Sequence, residues 1–412
     1  MYLLYSIFVL EPLCIDADLM GTESNLLVDN GYRWIKHIPR GSWYLSGEIK
    51  LFNDNCLDTL LELNKKKLDL NPPQKFVRAM AQLTKEQVPW AKVMPPRDHR
   101  AFVRKLINEA SEAYDNISKD YYVNTWVPQS TVLRNLNPAK IDHTRYLEAV
   151  ALAGTHAQSV TSFEPDQNGM SQCIDYDRFG TVTGRLTVKS GPSILTLKRD
   201  YRDMIVSSEP NGKIIYIDFA ALEARILLYE AGISCNKVDL YSYISQELFN
   251  GVASRDSIKS AVISELYGVG KHTLGDQLGI EGKELDDFVN KIKFFFKTGD
   301  LKKRIKEQFI KTGYVLNRYG RQVVPSAPLD HILLNSYAQS TGVDVSLLGF
   351  SSIVDSLKQF PKVKPLYVLH DAIILDVPEE NIDDVVSIKK ITIPGYVQSF
   401  FLKSSFLVIH II

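Results

Sequence analysis

The sequence has few cysteines and no charge of one dominant sign. Its 412 residues include four cysteines, which lie far apart and form neither a CxxC pair nor a His–Cys cluster. This spacing argues against a structural zinc site and a disulfide framework, and it is typical of a reducing compartment. The 48 basic and 48 acidic residues give a formal net charge of zero. The overall charge therefore indicates no polyanionic partner.

The chain also lacks a long hydrophobic run and a recognisable leader. The first residues, "MYLLYSIFVLEPLC", have no basic leader and no A-x-A cleavage site, and the last, "FLVIHII", are too short to span a bilayer. We expect both ends to be buried strands. The sequence therefore predicts a soluble, unsecreted, cytoplasmic protein that does not contact a membrane.

No internal repeat or low-complexity linker is present, but one local stretch is strongly basic. The stretch from Lys291 to Arg321 holds ten Lys or Arg residues against two acids. Such a face is suited to binding phosphates. An ordinary solvated helix face explains the same composition, and both interpretations remain open.

Hydrophobic periodicity divides the chain into regions. Residues 1–75 mix short apolar runs with turn residues and suggest no role. From about residue 76 to 165 the pattern is helical, and Phe102, Leu106, Ile107 and Ala110 fall on one helix face. "FEPDQNG", residues 163–169, breaks this pattern and marks a domain edge.

The second half alternates strands and helices. "GKIIYIDF" predicts a buried strand from Ile214 to Asp218, followed by a helix that Gly232 ends. Helices are then expected over about 233–312, a hairpin around Tyr319-Gly320, and a helix from Leu329 to Leu357. "PLYVLHDAIILDVP" predicts a second hairpin around His370. The fold class is α+β.

Two acids stand at the ends of apolar strands. Asp218 ends the predicted strand, and Asp371 lies at the turn between two apolar runs. If the strands are neighbours in one sheet, the carboxylates lie a few ångströms apart and would bind divalent cations or share a proton. Phosphoryl transfer with two Mg²⁺ ions uses such a pair. For either acid alone, a turn former or helix cap remains the alternative.

A cationic helix lies between these acids. In "SRDSIKSAVISELYGVG", Ser254 can cap a helix on which Arg255, Lys259, Ile263 and Tyr267 fall four residues apart. Two cations above an apolar residue and an aromatic would suit a triphosphate with its sugar and base. The alternative is a solvated Arg–Lys face with the two apolar residues packed inward.

Three further polar residues are candidates for contacts with nucleic acid. Arg185 follows a Thr-Gly turn in "YDRFGTVTGRLT". Asn335 and Gln339 lie one turn apart in "LLNSYAQSTGVD". Amides can recognise acceptors shared by all base pairs in the minor groove, although such amides more often face solvent.

In this order the motifs resemble DNA polymerase family A, the bacterial repair polymerase and phage replicase type. The resemblance covers about residues 160–378 and rests on "TGRLT", "IDFAALEARIL", "RDSIKSAVISELYG", "NRYGRQ", "NSYAQSTGVD" and "VLHDAIILDV". It implies a right-hand architecture: a palm with an antiparallel sheet, helical fingers and a helical thumb. The implied domains are thumb-like helices at 76–165, palm at 166–230 and 329–412, and fingers at 231–328.

The resemblance also implies a role for each matched residue. Asp218, Asp371 and the backbone carbonyl of Phe219 would hold two Mg²⁺ ions. Arg255 and Lys259 would bind the incoming triphosphate. The remaining assignments are Glu223 at the sugar 2′ position, Tyr267 beside the templating base, Arg185, Asn335 and Gln339 in the minor groove at the primer terminus, and His370 near the last primer phosphate.

The sequence departs from the family pattern at four positions. Ile263 replaces the usual aromatic of the fingers helix, which removes stacking on the sugar. Ala372 replaces the acid that usually follows the His-Asp pair, Tyr241 replaces a histidine, and His331 replaces an arginine. None of these changes removes an expected metal ligand.

The resemblance predicts a DNA-directed DNA polymerase that adds deoxynucleotides to a primer in replication, with primer–template DNA and dNTPs as partners. The short segment before the thumb-like helices predicts no proofreading activity and favours a phage source. Candidate further partners are a processivity factor or a separate exonuclease chain. Residues 1–75, with "IDADLMGTES", would be at most an exonuclease remnant. Two alternatives remain open: a single-subunit RNA polymerase-like enzyme, which Glu223 argues against, and a catalytically silent DNA-binding protein.

Overall fold

The computed structural model describes residues 12–29, 31–47, 55–71, 73–83, 89–268 and 270–407. The chain divides into two compact units, Met1–Val123 and Asn124–Ile412. The strand expected at the very N-terminus lies mostly outside the described residues, as do residues 408–412. No helix in the described ranges has the length and apolar character needed to cross a bilayer.

The first unit contains a small mixed sheet and helices. Its strands are β1 Leu13–Ile15, β2 Asn25–Val28, β3 Tyr32–Ile35 and β4 Trp43–Leu45. Its helices are α1 Ala17–Met20, α2 Leu57–Leu63, α3 Gln74–Leu83 and α4 Pro96–Asn116. The strand order is β3-β2-β1-β4, with β1 and β4 parallel. Helix α4 buries Phe102, Leu106 and Ala110, as its periodicity predicts, while Ile107 is half-buried.

The second unit contains most of the secondary structure. Its helices are α5 Val127–Arg134, α6 His143–Leu152, α7 Ala157–Thr161, α8 Leu222–Glu230, α9 Leu240–Phe249, α10 Arg255–Tyr267, α11 Lys271–Leu278, α12 Gly282–Phe296, α13 Thr298–Thr312, α14 Asp330–Leu357 and α15 Ile382–Val386. Its strands are β5 Lys140–Ile141, β6 Asp175–Asp177, β7 Thr187–Ser190, β8 Ile205–Val206, β9 Lys213–Phe219, β10 Val315–Leu316, β11 Gln322–Val323, β12 Lys364–Leu369, β13 Ala372–Val377, β14 Lys390–Thr392 and β15 Ser399–Phe406.

A five-stranded antiparallel sheet positions the site. Its order is β12-β13-β9-β15-β14, so β9 lies at the centre between two strands from the end of the chain. Along β9, Ile215, Ile217 and Phe219 are buried, while Tyr216 and Asp218 are half-buried and alternate with them. This period of two places Asp218 on the face opposite the apolar residues.

The long helix α14 packs against the helices α5, α8, α10 and α13. It also approaches β9 closely at Gly349, where an added Cβ would lie 2.6 Å from the Phe219 ring. The Phe350 ring packs 5.7 Å from the Phe219 ring, between centroids. The aromatic packing therefore holds the residue next to Asp218 in the core.

The last strand differs from the sequence prediction at its end. We expected "FLVIHII" to be buried, but Phe406 at the end of β15 is 46% exposed. Among the described residues, β15 pairs there with β9 alone, because β14 covers only Ser399 to Phe401. The prediction of a buried strand is therefore wrong for Phe406.

Candidate active site

The sheet register brings Asp218 and Asp371 to neighbouring positions at one end of adjacent strands. Ala372 lies directly opposite Asp218, and the Phe219 amide donates a hydrogen bond of 3.1 Å to the Asp371 carbonyl. His370 adopts a left-handed conformation with φ of 55° and makes the tight turn before β13. Both carboxylates line one open cleft of about 390 Å³. The convergence that the sequence predicts is present.

The ionised form of each acid is destabilised by its surroundings. Burial and the charge of Asp371 raise the pKa of Asp218 to about 7. Burial also raises the pKa of Asp371. A bound cation would relieve this repulsion because it stabilises both carboxylates in their charged form.

The donor set fits magnesium ions held jointly with a substrate. Among the described residues, no group of three or more His, Cys, Asp or Glu side chains converges as a metal cluster. Mg²⁺ is usually held by one or two carboxylates, with waters and substrate phosphates as the other ligands. Asp218 and Asp371 meet that requirement, and Phe219 also lines the cleft.

The helix α10 forms the cationic wall of the same cleft. The Ser254 side chain accepts a hydrogen bond from the Ser257 amide and caps the helix, and Gly268 ends it with φ of 70°. These caps confirm the predicted bounds. The stripe that the spacing predicts faces the cleft through all four of its residues: Arg255, Lys259, Ile263 and Tyr267.

Arg255 is held in place by the acid that caps the preceding helix. Its Nε atom donates to the Asp239 carboxylate at 2.9 Å, and its guanidinium lies over the Tyr241 ring at 5.5 Å from the centroid. Asp239 also caps α9 by accepting from the Ser242 amide. Tyr241, which stands where the family usually has histidine, therefore lies beneath an expected triphosphate-binding cation.

A second network joins three predicted residues. The Tyr267 hydroxyl donates to Glu223 Oε2 at 2.6 Å. Arg185 Nη2 donates to Glu223 Oε1 and to the Tyr267 hydroxyl, each at 3.2 Å. The network fixes the Glu223 carboxylate within the cleft.

The minor-groove candidates do not all share the cleft. Gln339 lines it and accepts a hydrogen bond from the Thr183 hydroxyl at 3.2 Å, and His370 lines it beside Asp371. Asn335 lies one turn earlier on α14, outside the residues that line the cleft. Its buried Oδ1 atom has no hydrogen-bond partner in the part of the chain that the structure describes.

The "NRYGRQ" motif supports the site from outside the cleft. Asn317 Oδ1 accepts from the Tyr319 and Arg321 amides and closes the predicted turn between β10 and β11. Asn317 Nδ2 donates to the buried carboxylate of Asp344 on α14 at 2.6 Å. These hydrogen bonds fasten the hairpin to α14, so this part of the motif is structural.

About half of the cations in the basic stretch from Lys291 to Arg321 form ion pairs within the unit. At least five of its cations pair with acids: Lys293 and Lys302 with Glu265, Arg304 and Arg318 with Glu230, and Lys306 with Asp330. Ion pairs within the unit therefore account for about half of these charges without a phosphate.

One charged residue of the cleft has no counterpart among the predicted site residues. Lys403 on β15 lines the cleft and lies directly opposite Asp218 across the sheet. Its sequence signal is a single cation inside the strand "SFFLKSSF". That signal does not reveal its neighbour, because pairing of β15 with β9 joins segments far apart in sequence.

Comparison with known proteins gives the family. The sequence model of DNA polymerase family A matches residues 124–398, more than half of the chain. The chain therefore belongs to DNA polymerase family A.

Curated relatives are similar at low identity. The chain is 24% identical over 291 residues to "DNA polymerase I, thermostable" of Thermus filiformis, covering 63% of this chain and 34% of that protein. It is 26% identical over 243 residues to DNA polymerase I of Caldicellulosiruptor bescii, covering 51% of this chain and 28% of that one. The chain thus spans about a third or less of the length of these relatives.

A solved structure has the same fold. The POL domain of Pol1 from M. smegmatis, in complex with DNA primer-template and dNTP, matches with a TM-score of 0.64 at 13% identity. The match covers 93% of this chain and 92% of that chain. The α+β polymerase fold that the sequence predicts is confirmed.

Proposed function

We propose that this chain is a DNA-directed DNA polymerase that extends a primer 3′ end with dNTPs and releases pyrophosphate during replication. The observation that carries the proposal is the convergence of Asp218 and Asp371 in one cleft with the cations Arg185, Arg255 and Lys259. Paired acids beside a row of cations suit a polyphosphate substrate that arrives with divalent metal. Membership of the polymerase family supports the same reaction.

The domain assignment is part of this proposal. We assign the palm to residues 166–230 and 329–412, which supply every strand of the five-stranded sheet. Residues 231–328 would be the fingers, since they contain the consecutive helices α9 to α13. Residues 76–165 would be the thumb-like helices, and residues 1–75 have no proposed activity.

The helix α10 would bind the nucleotide. Lys259 and Arg255 offer charge-assisted hydrogen bonds to triphosphate oxygens, and Arg255 is pre-oriented by Asp239. Ile263 and Tyr267 would lie beneath the sugar and base. Glu223, tied to Tyr267, would occupy the space under the sugar C2′ and exclude a 2′ hydroxyl.

The acid pair would hold two Mg²⁺ ions, with the Phe219 carbonyl as a further ligand. Bound there, the ions would neutralise charge on the attacking and leaving oxygens of an in-line displacement. Asp218 and Asp371 would hold these ions at the end of the sheet, beside the cations Arg255 and Lys259 that line the same cleft. Positioning of the reactants supplies most of the remaining rate enhancement.

The primer–template would be held by residues beside the acid pair. Arg185, Gln339 and Asn335 would contact the minor groove of the terminal base pairs, and His370 the last primer phosphate. Arg185, Gln339 and His370 line the cleft, which favours these roles. The M. smegmatis structure with the same fold contains primer-template DNA and dNTP, which supports the same partners here.

Primer extension with Mg²⁺ tests the proposal. We expect Asp371→Ala to lower the extension rate by about a hundredfold or more, since it removes a group that stabilises transition-state charge. Asp384→Ala, which removes an exposed acid on α15, is the matched control and should retain wild-type extension. Thermal melting of both variants checks folding.

Two outcomes would refute the assignment. Equal extension by wild type and a folded Asp371→Ala variant would remove the acid pair from the chemistry. Primer–template binding that weakens with salt but supports no extension by wild type, with Mg²⁺ or Mn²⁺, would instead indicate a silent DNA-binding protein.

A further inference from the structure

Three residues form a row across the central strands of the sheet. Asp218 on β9 lies directly opposite Ala372 on β13 and directly opposite Lys403 on β15. Directly opposed residues of antiparallel strands project from the same face, with Cβ atoms about 4.5–5.5 Å apart. The side chains of Ala372 and Lys403 therefore flank the Asp218 carboxylate on the face that opens to the cleft.

Lys403 is placed to act on this face. It is exposed, it lines the cleft, and the residues before it on β15, Phe400 to Leu402, are buried. Among the described residues it makes no direct ion pair with Asp218, so its ammonium acts on the acids through space.

The other side of the row carries no charge. Ala372 is only 7% exposed and stands where the family usually has an acid. The row therefore contributes one negative and one positive charge, whereas an acid at position 372 would add a second negative charge. Lys403 is thus the cation that this row places beside the acid pair, while Arg185 and Lys259 line the same cleft from other elements.

Resting on the proposed function, we propose that Lys403 is a positioning residue that weakens divalent-cation binding to Asp218 and Asp371 until a nucleotide arrives. An ammonium several ångströms from a dication repels it. The triphosphate of a bound nucleotide adds several negative charges to the cleft and outweighs this repulsion. The acid pair would then hold cations firmly only with substrate in place.

Direct measurement of Mn²⁺ binding tests this inference without relying on turnover. The electron paramagnetic resonance signal of free Mn²⁺ is followed as the full chain is added, in the absence and presence of primer–template and dNTP. We expect Lys403→Met to bind Mn²⁺ about 3- to 30-fold more tightly than wild type without nucleotide, because a unit charge a few ångströms away is removed. Lys403→Arg, which keeps the charge, should restore wild-type affinity, and the difference should shrink when nucleotide is bound.

A matched control separates a local effect from overall charge. Lys390 lies on the neighbouring strand β14, is exposed, and does not line the cleft. Lys390→Met should leave Mn²⁺ affinity unchanged. Lys403→Gln serves as a second neutral variant if Lys403→Met folds poorly, with thermal melting as the check.

The outcomes distinguish this inference from the proposed function. Wild-type Mn²⁺ affinity in folded Lys403→Met and Lys403→Gln would contradict the role of Lys403, as would an equal increase in Mn²⁺ affinity in Lys390→Met. Neither result would contradict metal binding by the acid pair. If folded Asp371→Ala binds Mn²⁺ as tightly as wild type, the result contradicts the metal site of the proposed function. It then also contradicts the role of Lys403.

Discussion

At the scale of single residues, the cleft is organised by hydrogen bonds that hold its charged side chains in place. Glu223 is held by Tyr267 and Arg185, and Arg255 is held by Asp239. Each pair fixes a group that would contact the nucleotide, so less side-chain freedom is lost when substrate binds. The hydrogen bond between Tyr267 and Glu223 is the shortest of these, at 2.6 Å.

Removal of the Glu223 carboxylate should relax sugar selection. We expect Glu223→Ala to raise the rNTP-to-dNTP ratio of kcat/KM by about tenfold or more, since space for a 2′ hydroxyl opens under the sugar. Tyr267→Phe keeps the ring and frees Glu223 from its hydroxyl partner, so it should shift the ratio less.

The control for this prediction is Glu247→Ala, which removes an exposed acid from α9. Steady-state incorporation of one dNTP and its matched rNTP gives the ratio. An unchanged ratio in Glu223→Ala would contradict the proposed position of Glu223. Efficient rNTP use by the wild type would favour the RNA polymerase-like alternative.

Sequence alone identifies most of these residues but not their partners. The spacing of four along α10 is a local property, so the cleft-facing stripe could be predicted. The role of Lys403 depends on strand register, which a single lysine in "SFFLKSSF" cannot specify. Asn335 follows the helical spacing of Gln339, but spacing does not show that it lies outside the cleft lining.

At the scale of elements, the end of α10 is fixed against the start of α14. Gly268 ends α10 with φ of 70°, and a Cβ at this position would overlap the ring of His331 on α14. His331, which stands where the family usually has arginine, thus forms the surface on which α10 ends. Glycine satisfies both the backbone conformation and the close approach.

Gly268→Ala should therefore destabilise the protein and disturb nucleotide binding. A left-handed conformation costs a non-glycine residue about 1–2 kcal/mol, and the overlap with His331 adds to this cost. We expect a lower melting temperature and a raised KM for dNTP, because Tyr267 and Lys259 lie on the displaced helix. The measurements are thermal melting and steady-state kinetics.

A double variant separates the two causes. Combining Gly268→Ala with His331→Ala removes the overlap but keeps the backbone strain. The double variant should therefore lose less stability than the sum of the losses in the two single variants. Full additivity of the single effects would contradict a direct contact between residue 268 and His331.

Elements with strong local signals were predictable, whereas small sheets were not. The caps Ser254 and Gly268 mark α10, and the alternation around Asp218 marks β9. The sheet of the first unit escapes prediction because its strands have three or four residues each and β1 pairs in parallel with β4. Such pairings depend on contacts distant in sequence, which local patterns do not encode.

At the scale of the whole molecule, the chain order and the sheet order differ. The strands β12 and β13, near the end of the chain, lie on one side of β9, and β15 lies on its other side. This crossover unites Asp218 with Asp371 on one side and with Lys403 on the other. The family resemblance predicts that Asp218 and Asp371 lie close together. Only the strand register of the structure shows that Lys403 lies beside Asp218.

The convergence of the two acids on a common cation can be measured directly by iron-mediated backbone cleavage. Fe²⁺ bound in place of Mg²⁺, with ascorbate and peroxide, generates radicals that cut the chain beside the metal. We predict cuts near both Asp218 and Asp371, suppressed by excess Mg²⁺ and lost in Asp218→Asn. Cleavage near only one of the two acids, or cleavage unaffected by Asp218→Asn, would contradict a shared metal site.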